Sequence, residues 1–168
     1  MQLSNPIAVL AIAAAGAISI VTDVRSRRIP NALTATITVA GFVAAWAGWS
    51  AVTPMRAAAG LAVGLLVMLP GHVIGATGAG DVKLFAAIGA WLGPGATLLA
   101  FLYTALAGGA LAVFVAVRRS ILRDTVARAA TLVSSGGANV GAIETSRVNR
   151  FAYAPAIAIG TLVAALGL

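Results

Sequence analysis

The chain has 168 residues, 61% of them hydrophobic and only 9% charged. A soluble domain carries roughly 25% charged residues, so a soluble fold is excluded. The net charge of +7 comes from 11 basic and 4 acidic residues, with no Cys and a single His. The basic residues crowd between apolar runs, which calls for a membrane reading of the charge and not a nucleic-acid one.

Backbone groups in lipid must be satisfied internally, so membrane spans are helices or closed barrels. The apolar runs here lack period-two alternation, which selects helices. The expected fold is all-α: one polytopic membrane helical bundle over residues 1–168. It has about six transmembrane helices, a short fourth helix and a cytoplasmic amphipathic helix.

The first span is expected over 6–22. No Lys or Arg precedes it, so it lacks the basic start of a signal peptide and is read as a retained span. It ends at Asp23 and the cluster Arg25, Arg27, Arg28. Ile29-Pro30-Asn31 then makes a turn, because a residue before Pro avoids the helical region and Pro suits a first helical turn. A second span follows over 31–49, with Trp46 and Trp49 at its end as interface anchors.

The third span is expected over 56–74. It contains Gly60-x-x-x-Gly64 and Gly71-x-x-x-Gly75, spacings that let helix backbones approach closely. A loop over 75–80 leads to Asp81. The apolar stretch 82–93 is broken by Gly93-Pro94-Gly95. Its twelve residues reach about 18 Å, short of a hydrocarbon core of about 30 Å, so if this element reaches the outer surface Asp81 begins inside the bilayer. Irregular backbone at that depth must line a wet cavity or be buried in protein.

A fifth span covers 96–117. The loop 118–150 holds six of the eleven basic residues, and its first half has apolar residues at helical spacing, as in an amphipathic surface helix. A sixth span starts near residue 151 and includes Pro155. With the Asp23 loop inside, every basic residue but Arg56 falls on the inner side. The positive-inside bias therefore puts both termini outside the cell membrane and both Asp23 and Asp81 on the cytoplasmic side.

The four acidic residues are Asp23, Asp81, Asp124 and Glu144. An aspartate at or below the membrane surface is costly to keep ionised, so each such residue calls for a function and a partner. Asp23 and Asp81 are candidates for one catalytic pair. Two carboxyls a few Å apart cannot both ionise easily, so one keeps its proton while the other draws a proton from water. A bell-shaped or acid-shouldered rate profile is the expected consequence. Alternative roles remain open: Asp23 as a surface carboxylate paired with Arg25 or Arg27, and Asp81 as a helix N-cap. His72 reads as a packed or interfacial histidine. Lys83 reads as a residue snorkelling to the interface or binding an acidic group of a substrate.

Two segments carry a family resemblance: Asp23-x-Arg25-x-x-x-Ile29-Pro30-Asn31, and Gly78-Ala79-Gly80-Asp81-x-Lys83. With the late segment around Tyr153-Ala154-Pro155-Ala156, they make the chain similar to the type IV prepilin peptidases, membrane aspartyl proteases of the Gly-x-Gly-Asp type. The resemblance implies cleavage of the basic leader from prepilin or pseudopilin substrates at the cytoplasmic face. Asp23 and Asp81 would be catalytic, Gly78, Gly80, Ile29, Pro30 and Asn31 would shape the site, and Arg25, Lys83 and Pro155 would contact substrate. No cofactor, metal or nucleic acid is expected; the partners are the substrate and the bilayer.

Larger members carry a Cys-rich insert and also N-methylate the new terminus. The short basic turn and absent Cys here resemble the compact form serving Flp/Tad-type pili, without the methyltransferase portion. A competing expectation is a small ion-coupled transporter or pilus-assembly subunit whose aspartates bind a proton or cation.

Overall fold

The computed structural model describes residues 5–26, 28–75, 77–118 and 153–167. The expected amphipathic helix and the rest of the basic loop lie outside the described residues, as does Arg27. The described residues form five helices: α1 (Pro6–Ser26), α2 (Asn31–Trp46), α3 (Pro54–Val73), α4 (Ala79–Arg118) and α5 (Ala154–Leu166).

α1, α3 and residues 79–115 of α4 are long and apolar enough to cross a membrane, whereas α2 and α5 are shorter apolar helices. Large apolar side chains such as Leu10, Val39, Leu66, Leu102, Leu106 and Ile159 stand exposed on the outer faces. Exposed apolar surface on that scale fits contact with lipid, as a membrane bundle requires.

The expected fourth and fifth spans are the two helical arms of α4, which meet at a kink; five helices stand among the described residues when the two arms are counted as one. Gly93 inside α4 has φ 73 and ψ 171, and Pro94 follows. Only glycine adopts that backbone without strain, and Pro94 has no N–H to continue the ladder. The chain folds back sharply there. Phe85 and Phe101 would be about 24 Å apart on a straight helix. Their rings instead meet edge-to-face with centroids 6.3 Å apart. Thr97 Oγ1 donates to Gly93 O at 2.7 Å across the same bend. α4 is thus two antiparallel arms without a loop, and the first arm, residues 79–92, reaches only about 21 Å.

That first arm is the centre of the bundle. Leu84, Phe85, Ala87, Ile88 and Ala90 are all essentially inaccessible. Glycine in α3 allows the close approach: a Cβ on Gly64 would stand 2.8 Å from Ala86 Cα, and Gly60 backs onto Gly89. Lipid offers little hydrophobic drive between helices, so such backbone-to-backbone packing holds them together. Gly71-x-x-x-Gly75 does no such work, since Gly75 has φ 76 in the turn that follows α3. Trp91 Nε1 ties α2 to the central arm by donating to Ile37 O at 2.9 Å.

Several element ends differ from expectation for local reasons. α1 runs four residues further, to Ser26, so Asp23 and Arg25 are helical. α2 stops at Trp46, where Gly48 with φ 72 turns the chain. Trp46 and Trp49 are both exposed at that end. α3 begins two residues earlier, at Pro54, because Thr53 caps it by accepting from the Arg56 amide. Arg118 is still helical within α4, and the residues after it lie outside the described ones.

Candidate active site

One end of the bundle gathers the motifs. α1 arrives there with Asp23, α2 leaves from Asn31, α3 ends at Val73 next to His72, the central arm starts at Ala79 and α5 starts at Ala154. The opposite end is closed by Asn5, whose side chain donates to Trp49 O at 2.8 Å.

Asp23 lies in the last turn of α1 and is only 8% exposed. Its Oδ2 accepts a hydrogen bond from the Ala154 amide at 3.3 Å. The first N–H groups of any helix lack partners within it, and they carry the positive end of the helix dipole. Pro155 has no N–H, so Ala154 is the donor that the start of α5 presents. Asp23 is therefore a buried carboxylate and not a surface one, and of the two arginines expected as partners Arg27 lies outside the described residues. Arg25 and Arg28 are exposed. Pro155 sits in the first turn of α5, where its fixed φ suits helix initiation.

Asp81 is not the N-cap of the central arm but its third residue. Its Oδ2 accepts from the Gly78 amide at 3.1 Å. A carboxylate at that position reaching back to the cap residue's N–H is half of a capping box. The helix start and the carboxylate orientation are therefore fixed by one interaction. A Cβ on Gly78 would stand 3.0 Å from that same Oδ2, so a side chain there presses on the carboxylate.

The two motif segments dock on each other. A Cβ on Gly80 would come within 3.1 Å of Ile29 Cβ, so glycine there lets the 78–81 turn lie against the 29–31 turn. Pro30, extended with φ −62 and ψ 136, precedes the first residue of α2. Asn31 Oδ1 accepts from Lys83 Nζ at 3.0 Å, binding α2 to the central arm beside Asp81. His72 is exposed at the end of α3, and its Nδ1 lies 3.1 Å from Thr77 O, bracing the turn that leads to Gly78.

Sequence reasoning missed Tyr153 as a site residue. It is half-buried, stands within electrostatic reach of Asp81, and precedes the residue whose amide holds Asp23. Its ring lies against Gly108 of the second arm, where a Cβ would be 2.6 Å from Cε2. The available signal was a phenol directly before the Ala154-Pro155 helix start. Tyr153 and Ala154 thus link the surroundings of both aspartates.

The sequence pattern of the type IV leader peptidase family matches residues 9–113, which contain both aspartate motifs. The "Type 4 prepilin-like proteins leader peptide-processing enzyme" of Escherichia coli O78:H11 (strain H10407 / ETEC) is 37% identical over 81 residues. That alignment covers 44% of this chain and 30% of the relative, so the chain spans under a third of that protein's length. No solved structure matches. On the extent of the family match, the chain belongs to the type IV leader peptidase family.

Proposed function

We propose that the protein is a membrane aspartic endopeptidase that removes the basic leader from prepilin-like proteins, with Asp23 and Asp81 as the water-activating pair. The observation that carries this reading is the convergence of both aspartate segments on one bundle end, joined through Tyr153-Ala154 and the Gly80–Ile29 contact. One carboxylate takes a proton from water while the other, protonated, polarises the scissile carbonyl. The Ala154 amide fixes Asp23, and the Gly78 amide fixes Asp81, so neither carboxylate must be ordered at the moment of reaction.

The six passes of the bundle, counting the two arms of α4, cross the membrane with the active end facing the cytoplasm. The distribution of basic residues supports that orientation. The short first arm supports a position for Asp81 below the surface. A Flp/Tad-type prepilin is the substrate of first choice, given the short basic turn over 24–30. The alternative of an ion-coupled transporter has no specific observation in its favour, since the Ile29-Pro30-Asn31 turn packed on Gly80 is not needed for ion binding.

Co-expression with a Flp-type prepilin tests the reading. Wild type should give a leader-sized mobility shift, and Asp23→Asn and Asp81→Asn should give none. Processing by all three would overturn it.

A further inference from the structure

His72 stands exposed in the last turn of α3, and the proposed chemistry makes no use of it. Its Nδ1 lies 3.1 Å from Thr77 O. A carbonyl oxygen only accepts, so Nδ1 carries the proton and donates, in the neutral ring and in the imidazolium alike.

The C=O of Thr77 and the N–H of Gly78 are the two ends of one peptide group. That same Gly78 N–H donates to Asp81 Oδ2 at 3.1 Å. A single planar unit therefore joins the imidazole on one side to the carboxylate on the other. Whatever fixes its carbonyl also aims its amide, and a donor on the carbonyl polarises the N–H toward Asp81.

We propose that His72 is a positioning residue for Asp81, acting through the Thr77–Gly78 peptide to hold the Gly78 N–H on the carboxylate. The inference rests on the peptidase reading above and adds a residue that neither aspartate motif contains.

The need for such a hold comes from Gly78 itself. A Cβ there would stand 3.0 Å from Asp81 Oδ2, so glycine clears room for the carboxylate. Glycine also leaves the preceding peptide free to turn over, because the flip would carry Gly78 to positive φ, which glycine adopts without strain. A flipped peptide would point its N–H away from Asp81 and its carbonyl oxygen toward it. The bond from His72 to that oxygen opposes the flip.

The loop does not depend on His72 for its place. The Thr77 amide donates to Gly71 O at 3.1 Å, and a Cβ on Gly71 would lie 3.2 Å from Thr77 Oγ1. Losing the imidazole donor thus leaves the loop docked on α3 and frees only the orientation of the next peptide. The effect belongs to the rate and not to the fold.

Two substitutions separate this role from a brace on the loop. His72→Asn sets an amide nitrogen where Nδ1 stands, the same number of bonds from the backbone, whereas His72→Gln carries its nitrogen one atom further out. With purified enzyme and a full-length prepilin, His72→Gln should lower kcat roughly tenfold at unchanged KM and melting temperature, and His72→Asn should regain most of that loss. Wild-type kcat in His72→Gln, equal losses in both variants, or a melting temperature that falls with kcat overturns the proposal.

A second arm needs no turnover. In protein carrying isotopically labelled glycine, the Gly78 amide resonance is identified by its loss in Gly78→Ala, and Asp81→Ala gives its position without the carboxylate. His72→Gln should move the resonance toward that position, and His72→Asn should leave it near that of wild type. A Gly78 resonance unmoved in His72→Gln overturns the proposal. If wild type cleaves no prepilin, the peptidase reading fails, and this resonance still decides whether His72 holds Asp81.

Discussion

The carboxylate of Asp23 accepts a hydrogen bond from the amide of Ala154, 131 residues further along the chain, at 3.3 Å. This contact turns the start of α5 into part of the site and explains why a late small-residue segment accompanies two early aspartates. It also sets what substitutions at Asp23 should do. Asparagine keeps an acceptor oxygen for the Ala154 amide but loses the charge. Asp23→Asn should therefore fold, with a melting temperature in detergent close to that of wild type, and cleave prepilin about 10²- to 10⁴-fold more slowly. A large fall in melting temperature would mean that the charge serves the fold.

Gly78→Ala should damage the chemistry more than the fold. The added Cβ would stand 3.0 Å from Asp81 Oδ2, so the carboxylate must shift while the helix start persists. A misplacement of about 1 Å at a reacting group costs up to roughly 10²-fold in rate, so the smaller shift needed here should slow cleavage by less than that. Initial rates set beside thermal unfolding check this, and a variant with wild-type rates contradicts the placement of Asp81.

Gly60→Leu tests the packing that positions the central arm. A side chain there enters the backbone of Gly89, which has no flexible end to give way. Overpacking of this kind costs about 1–3 kcal/mol, read as lower stability in detergent together with lost cleavage. Stability equal to wild type would contradict the close α3–α4 crossing.

Trp91→Phe offers a contrast at the same arm. It removes the indole donor to Ile37 O, a carbonyl that still takes part in the ladder of α2, at a cost of about 0.5–1.5 kcal/mol. The contact is far along the arm from Asp81, so loss of stability without loss of cleavage is the expected pattern at permissive temperature.

Tyr153→Phe separates the hydroxyl of Tyr153 from its packing. The ring still covers Gly108, so stability should hold within about 1 kcal/mol. Tyr153→Ala removes that contact and should lower both stability and cleavage. Equal stability of the Ala and Phe variants would show that the ring on Gly108 does not matter.

Much of this arrangement was legible in the sequence because the membrane limits the choices. Apolar runs, basic turns and scarce acids located the helices and singled out Asp23 and Asp81. What was not legible is three-dimensional. Gly93-Pro94 reads as a break between two helices, and no local signal says that a single positive-φ glycine joins them without a loop. The role of Asp81 as the third helical residue depends on the Gly78 amide, a choice of register that composition does not express. Tyr153 escaped notice because its significance comes from Gly108 and Asp81, which are distant in sequence. Of the two small-residue spacings, only Gly60-x-x-x-Gly64 packs a helix, and the facing partners Ala86 and Gly89 distinguish it.

The central claim is that Asp23 and Asp81 act as one unit, and the most direct test compares rates of prepilin cleavage by purified wild type, each single Asp→Asn variant and the double variant. Residues that act together are non-additive, so each single variant should lose as much activity as the double. A single variant that retains near-wild-type cleavage, or losses that multiply in the double, would contradict the account.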